Sequence, residues 1–195
     1  MLVIGADTLS SIIDYTDRTT CVIFGDGAGA VLIEPTEENE VGLIDFCHEI
    51  DGSGAAALNM PAGGSLRPAS AETVTARMHY VHQDGQAVYK YAVRKMVETS
   101  NKLLEANKIG ASDLGCFIPH QANKRIILST AERLGLPLER VIINIDRFGN
   151  TTAATIPLAM QTALDEQRLK RDSLVLLASV GAGFTVGACL LRWEM

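Results

Sequence analysis

Two polar residues in this sequence, His120 and Asn150, are placed where an α/β protein can carry out chemistry. His120 directly follows an apolar run that ends at Pro119, and Asn150 follows the apolar run 140–145. A helical pattern comes after each of them. Because the carboxyl ends of strands in an open α/β sheet face one cleft, we expect the two side chains to meet there. A neutral imidazole and an amide can each donate a hydrogen bond to a developing oxyanion.

Each of these residues also has an ordinary structural interpretation. A histidine near a strand end is more often a hydrogen-bonded histidine than a catalytic one, and an asparagine is typical of a turn or a helix N-cap. The placement of both residues after strands of one predicted sheet favours the chemical interpretation.

Three further features could contribute to a site at this cleft. The turn 181–183 centres on Ala182, and small residues there would let a substrate approach backbone N–H groups, although an ordinary hairpin turn has the same composition. Lys124 and Arg125 lie one turn into the helix after His120. Such residues are usually solvated charges, but beside a cleft they could meet an anionic carrier or a nucleotide phosphate.

The cysteines and histidines do not indicate a disulfide, a metal site or a reactive thiol. There is no CxxC pair, no third ligand at useful spacing from His79 and His82, and no HExxH motif, so no metal is expected. No cysteine has the helix N-terminus or neighbouring cation that activates a thiol. The four cysteines, interpreted as free thiols, are Cys21, Cys47, Cys116 and Cys189.

Hydrophobic periodicity predicts an α/β protein. The βαβ alternation implies mostly parallel strands, the turn 181–185 sends the chain back into 186–193, and the predicted sheet is mixed, with helices on both faces. A long helix should begin near Asp84 and end before Gly110, and two more should span 122–134 and 152–166. The glycine-rich stretch 25–29 is interpreted as a tight turn, and 51–71 as a long loop. The predicted strands are 1–7, 19–24, 30–34, 41–48, 114–118, 141–145, 174–179 and 186–193.

One internal similarity indicates a duplicated unit. Residues 22–32 resemble residues 178–188, and each stretch reads as a strand, a glycine turn and a second strand. The two copies lie at opposite ends of the chain, so the first copy is expected to be represented only by its tail.

The composition excludes several classes of protein. A net charge of −6 and a pI near 5.2 argue against a nucleic-acid binder, which would need a basic patch. No run approaches the roughly 18 apolar residues of a membrane span, and the first residues lack the charged region of a signal peptide. The sequence is therefore interpreted as that of a cytoplasmic protein.

Four motifs in order along the chain resemble β-ketoacyl-[acyl-carrier-protein] synthase III, the initiating condensing enzyme of type II fatty acid synthesis. That family has a thiolase fold of two pseudo-symmetric halves, which would explain the internal similarity. Because the motifs occur together and in order, the resemblance is far more specific than any one of them. They are residues 119–126, 146–154 and 181–187, and residues 17–20 together with 24–29.

The resemblance implies a Cys-His-Asn active site in which His120 and Asn150 are the histidine and the asparagine. The family's cysteine takes an acyl group from acyl-CoA, and the His/Asn pair helps decarboxylate malonyl-acyl carrier protein. The turn around Ala182 would supply an oxyanion-hole N–H. No bound cofactor is implied, since the coenzyme A thioester is a substrate, and the full enzyme is expected to be a homodimer.

The resemblance also implies contacts with the carrier protein or with coenzyme A. Arg125 matches a basic residue associated with carrier-protein docking, and Asn59 lies in the region that borders the acyl-CoA tunnel. Gln121, Asn123 and Lys124 are expected to contribute to the same binding surface.

The family's cysteine lies upstream of the strand that begins here at Met1. Residues 1–36 are therefore interpreted as the tail of the N-terminal thiolase-like half, and residues 37–195 as the C-terminal half. Alone, this chain is expected to be inactive in condensation. The alternatives are a module that binds coenzyme A or carrier protein, or that assembles with a partner, and a relative with polyketide starter or 3-hydroxy-3-methylglutaryl chemistry.

Overall fold

The structure, a computed structural model, describes residues 1–38 and 41–194 of the chain. Short 3₁₀ turns lie between several of its strands and helices. The strands are β1 Leu2–Asp7, β2 Gly27–Leu32, β3 Gly42–Ile50, β4 Leu58–Asn59, β5 His82–Gln83, β6 Leu114–Pro119, β7 Leu174–Gly181 and β8 Thr185–Arg192. The helices are α1 Ala71–Thr75, α2 Gly85–Ala106, α3 Lys124–Arg133, α4 Ile145–Phe148 and α5 Thr155–Asp165.

The main sheet has four strands in the order β3-β8-β7-β6. Only β6 and β7 are parallel, while β8 is antiparallel to both β7 and β3. The sheet is therefore mixed, as predicted, although it is less parallel than the βαβ alternation alone implies. The reason is the tight connection between β7 and β8, because a hairpin turn can join only antiparallel strands.

Helices cover both faces of this sheet, as the apolar strands predicted. Phe117 of β6 and Leu176 of β7 pack against α2 and α3 on one face, together with Met96. The next or preceding residue along each strand points to the other face, where Ile118 of β6 and Val175 of β7 pack against α5. Within the part of the chain that the structure describes, no helix is long and apolar enough to cross a membrane.

The second face is not covered along its whole width. At the β3 edge, Phe46 and Ile50 are 60% and 74% exposed, although the alternation of β3 places Cys47 towards α2. The sheet thus carries an apolar surface beside α5.

The long helix α2 begins as its sequence predicted. Asp84 is its N-cap, and one carboxylate oxygen accepts hydrogen bonds of 3.0 Å from the backbone N–H groups of Gln86 and Ala87. The helix stops just before Lys108, which adopts a left-handed conformation with φ 56°. One side of this helix borders the cavity described below.

The predicted strand at 19–24 is wrong, and so is the predicted turn at 25–29. The segment before Phe24 forms turns, held by the Asp17 carboxylate, which accepts hydrogen bonds from Thr19 and Thr20. Such local side-chain bonds compete with strand pairing. The glycine-rich stretch instead leads into β2, which is antiparallel to β1. The two similar stretches therefore differ in structure, since only the second contains both strands.

The predicted strand at 141–145 is also wrong. Only Val141 pairs with the sheet, through an isolated parallel bridge to Phe117, and α4 already begins at Ile145. Ile142 still donates its N–H to Phe117 of β6 at 2.9 Å, and the rest of the backbone between Val141 and α4 is held by a side chain. That side chain belongs to Gln121.

Gln121 is 1% exposed, and its amide lies in the core. Its Nε2 donates to the carbonyl oxygens of Pro119 at 2.8 Å and Ile142 at 3.1 Å. Its Oε1 accepts from the backbone N–H of Asn144 at 2.9 Å. Both amide N–H groups are used in this way, so the expected role of Gln121 in binding carrier protein or coenzyme A is not supported. The side chain instead ties the His120 loop to the segment that leads to Asn150.

Replacing Gln121 should therefore lower the stability of the chain, and no contact with a ligand should be lost. In Gln121→Met, the buried Asn144 N–H loses its acceptor, so we expect the free energy of unfolding to fall by at least about 2 kcal/mol. Urea denaturation followed by circular dichroism would measure this. Gln161→Met is the matched control, because Gln161 is exposed on α5 and should change stability by less than about 0.5 kcal/mol. Equal stabilities of the two variants would contradict the structural role of Gln121.

Candidate active site

A cavity of about 1230 Å³ opens at the carboxyl end of β6 and β7. Its wall includes His120, Asn150 and Ala182, together with Asp7 from the end of β1 and Met60 from the loop after β4. The two residues that the sequence singled out for chemistry thus share one cavity with the turn expected to offer a backbone N–H.

His120 is buried at the end of β6. Its backbone N–H donates to the carbonyl oxygen of Ala178 at 2.8 Å, which extends the pairing of β6 with β7 by one residue. The side chain is 7% exposed, and its Nδ1 is buried with no hydrogen-bond partner among the described residues. Burial lowers the pKa of the imidazole from its usual 6.5 to about 4. His120 is therefore neutral at physiological pH.

Asn150 is held on both sides of its peptide unit by the N-terminal segment. Its N–H donates to Ile23 and its carbonyl oxygen accepts from Gly25, both at 2.9 Å. The side-chain Oδ1 accepts a hydrogen bond of 3.1 Å from the N–H of Thr152. An atom that accepts from an N–H must be the oxygen, so the amide orientation is fixed and Nδ2 is left as a donor for the cavity.

The turn at Ala182 is supported by a buried aromatic pair. Phe184, 5% exposed, stacks on Tyr91 of α2 with ring centroids 4.1 Å apart. The Phe184 carbonyl also accepts from the N–H of Asp51 at 2.7 Å. Ala182 itself is exposed and lines the cavity. Phe184 cannot be identified as a support from local sequence, since its contacts lie far away along the chain.

The residues expected to bind a carrier or coenzyme A are separated by the structure. Asn59, Asn123 and Arg125 line the cavity, whereas Lys124 is exposed and is not part of its wall. Asn123 is the N-cap of α3, and its Oδ1 accepts from the Arg125 N–H at 2.8 Å. The Arg125 guanidinium lies 5.5 Å from the centre of the Tyr89 ring, a distance typical of a cation–π contact.

Sequence reasoning missed Asp7, whose Oδ2 accepts hydrogen bonds from the Thr152 hydroxyl and from the Ala153 N–H. The signal that could have found it is the one used for His120, a polar residue at the end of an apolar strand. Sequence alone does not single out Asp7, because the partner strand of β1, which is β2, has no strand-like signal of its own at 27–29.

None of the four cysteines lines the cavity. Burial raises the pKa of the Cys116 thiol to about 11, and burial also raises the pKa values of Cys47 and Cys189. These thiols are poor nucleophiles at neutral pH. Across residues 1–38 and 41–194, no group of three or more His, Cys, Asp or Glu side chains could hold a metal ion.

The buried, neutral His120 makes stability depend on pH. Its pKa is lower in the folded chain, about 4 against 6.5, so the unfolded chain binds the proton first as the pH falls. The stability that it contributes is present above about pH 6.5 and is lost towards pH 4. Between pH 7 and pH 5, the chain should lose about 2 kcal/mol more than His120→Gln does. Denaturant titrations at the two pH values measure this, and equal losses would show that the imidazole is not buried neutral.

Two family profiles match the chain. The one described as 3-oxoacyl-[acyl-carrier-protein (ACP)] synthase III C terminal covers residues 104–193, and the one described as 3-oxoacyl-[acyl-carrier-protein (ACP)] synthase III covers residues 1–52. The matched ranges contain His120, Asn150 and Ala182 in the first case and Asp7 in the second.

Curated relatives match over almost the whole chain. A β-ketoacyl-[acyl-carrier-protein] synthase III from Koribacter versatilis (strain Ellin345) is 66% identical over 99% of this chain and 58% of its own length. The enzyme of the same name from Solibacter usitatus (strain Ellin6076) is 64% identical over 99% of this chain and 59% of its own length. The chain thus spans somewhat under three fifths of these relatives.

Solved structures share the fold. The 3-oxoacyl-(acyl carrier protein) synthase III of Pseudomonas aeruginosa PAO1 superposes with a TM-score of 0.89 at 38% identity, covering 100% of this chain and 58% of that one. The priming β-ketosynthase of the R1128 polyketide biosynthetic pathway gives 0.84 at 30% identity, covering 99% of this chain and 57% of that one. The fold is therefore thiolase-like, and with the two profiles and the relatives it shows that this chain belongs to the β-ketoacyl-[acyl-carrier-protein] synthase III family.

Proposed function

We propose that this chain carries the histidine and asparagine of an enzyme that condenses an acyl-CoA-derived acyl group with malonyl-[acyl-carrier protein] and releases CO₂. The observation that carries the proposal is that a neutral His120 and an oriented Asn150 amide line one cavity. Relatives that match 99% of the chain are named β-ketoacyl-[acyl-carrier-protein] synthase III, which supports the proposal.

The first step of the reaction needs two neutral donors. When the bond between the malonyl carbon and its carboxylate breaks, CO₂ leaves and the electron pair moves onto the thioester, placing negative charge on its oxygen. With the proton on Nε2, His120 donates to that oxygen together with Asn150 Nδ2. A protonated imidazole would be costly in this buried setting, and the lowered pKa of His120 avoids it.

The second step forms the carbon–carbon bond. The enolate carbon attacks the carbonyl of an enzyme-bound acyl thioester, and the tetrahedral oxyanion accepts a hydrogen bond from the N–H at Ala182. Collapse of this intermediate expels the thiolate. Ala182 suits this role because it is exposed to the cavity in a turn fixed by Phe184.

The nucleophilic thiol of this scheme comes from outside the 195 residues. Support comes from the four cysteines, none of which lines the cavity, and from the share of the relatives' length that the chain covers, 58% and 59%. In this scheme residues 1–36 belong to the first thiolase-like half and residues 37–195 to the second. The complete enzyme is a cytoplasmic homodimer.

The substrates reach the cavity past its polar rim. Arg125 provides a cation whose direction is set by Tyr89, which suits a phosphate of coenzyme A or of the carrier's prosthetic group. Asn59 and Asn123 offer amides to the arm that enters the cavity. A second candidate is the priming step of polyketide synthesis, favoured by the likeness to the R1128 ketosynthase. The acyl-CoA that the completed enzyme accepts separates the two.

Complementation tests the proposal. The chain alone, incubated with radiolabelled acetyl-CoA, should form no acyl-enzyme, because its buried thiols have raised pKa values. Addition of the part of the Koribacter versatilis relative that lies outside the matched region should restore condensation with malonyl-carrier protein.

His120→Ala should abolish the release of CO₂ in that mixture. His82→Ala is the control, because His82 is exposed and is not part of the cavity wall. An acyl adduct on any of the four cysteines, or full decarboxylation with His120→Ala, would contradict the proposed function.

A further inference from the structure

Asp7 places a carboxylate in the wall of the cavity in which negative charge is proposed to develop. It is half-buried at the end of β1, and the scheme above gives it no part. A carboxylate close to a developing oxyanion would oppose it. The hydrogen bonds of Asp7 indicate why a carboxylate is nevertheless present in this cavity.

Both hydrogen bonds of Asp7 reach the residues that follow Asn150. The Thr152 hydroxyl donates to Oδ2, and the Ala153 N–H donates to the same oxygen at 2.9 Å. Thr152 also donates its own N–H to Asn150 Oδ1 at 3.1 Å. Thr152 therefore connects the two residues, because its hydroxyl bonds to the Asp7 carboxylate and its backbone N–H bonds to the Asn150 amide.

Thr152 adopts a backbone conformation that is unfavourable for its residue type. Its φ of 45° lies in the left-handed region, which is costly for a β-branched residue unless surrounding contacts hold it. The bonds to Asp7 are such contacts. If Thr152 relaxed to a negative φ, its N–H would turn away from Asn150 Oδ1, and the amide would lose its fixed orientation.

We propose that Asp7 is a positioning residue for Asn150: it holds Thr152 in the left-handed conformation so that Asn150 Nδ2 stays directed at the substrate oxygen. The same two hydrogen bonds offset part of the negative charge of the carboxylate. The role of Asp7 in the reaction rests on the proposed function, whereas its control of the Asn150 amide does not.

Another half-buried carboxylate makes similar bonds without reaching Asn150. Asp51 accepts hydrogen bonds from the Ser53 N–H at 3.0 Å and from the Ser53 hydroxyl at 2.6 Å. It matches Asp7 in bonding a hydroxyl and a backbone N–H. Asp51→Ala is thus a control for the loss of such a carboxylate.

Nuclear magnetic resonance of the ¹⁵N-labelled chain tests the orientation directly. The Asn150 side-chain NH₂ signals, assigned by their loss in Asn150→Asp, should shift and broaden in Asp7→Ala and less so in Asp7→Asn, which keeps one acceptor oxygen. The backbone N–H signal of His120 should stay in place, which shows that the sheet remains folded. Asp51→Ala should leave the Asn150 signals unchanged. Unchanged Asn150 signals in Asp7→Ala would overturn the proposal.

A second substitution separates positioning from general structural support. Glycine adopts a positive φ without strain, so Thr152→Gly should reduce the need for Asp7. In that background, Asp7→Ala should disturb the Asn150 signals much less than it does in the native sequence. An equal disturbance in both backgrounds would show that Asp7 does not act through the conformation of Thr152. A strong disturbance in the Thr152→Gly background would overturn the proposal even if Asp7→Ala unfolds in the native sequence.

The complemented enzyme gives the kinetic consequence. Because removal of a whole oxyanion donor costs about 10²–10³ in kcat, misdirecting one should lower kcat for decarboxylation by at least about tenfold while KM stays the same. A rise in KM with unchanged kcat would contradict the positioning role. Failure of the native mixture to turn over would instead count against the proposed function, and the spectra would still decide the role of Asp7.

Discussion

The site depends on two hydrogen bonds between Asn150 and the segment that precedes β2. The Asn150 N–H donates to Ile23 and its carbonyl accepts from Gly25, so this residue is paired like a strand residue although it lies in a loop. The pairing requires glycine at position 25, because a Cβ there would lie 2.2 Å from the carbonyl oxygen of Phe148. Gly149 meets the same constraint from the other side, with φ 69°. Ile23 and Gly25 are therefore structurally part of the site that holds Asn150.

A second constraint fixes His120 relative to Asn150. The buried amide of Gln121 hydrogen-bonds to both the loop after β6 and the backbone that leads to α4, so the two loops cannot shift independently. His120 is kept neutral by burial, and the orientation of Asn150 is set by the N–H of Thr152. Both side chains are thus held in place by the protein itself, which is the condition that the proposed stabilisation of an oxyanion requires.

The parts of this arrangement that sequence could predict are those encoded locally. The position of His120 follows from an apolar run that stops at Pro119, and the start of α2 follows from the Asp84 cap. The family motifs also predicted the thiolase-like fold, which solved structures of the family confirm. These features need only neighbouring residues, or a pattern already known from relatives.

The features that sequence could not predict are set by contacts between distant segments. Residues 19–24 have strand-like composition, but Asp17 holds them in turns. The apolar run at 141–145 pairs at one residue only, because Gln121 takes its hydrogen bonds. The link from Asp7 to Thr152 joins residues 145 positions apart, and no periodicity reports it. Tertiary context overrides local preference at each of these places.

Hydrogen exchange of two backbone amides would test the central claim most directly, namely that the N-terminal segment and the sheet hold Asn150 and His120 as one rigid unit. The His120 N–H bonds to Ala178 inside the sheet, and the Asn150 N–H bonds to Ile23. If both belong to one cooperative unit, their protection should be similar and close to that of global unfolding. Exchange of the Asn150 amide at the rate of an open loop, with the His120 amide still protected, would contradict the account.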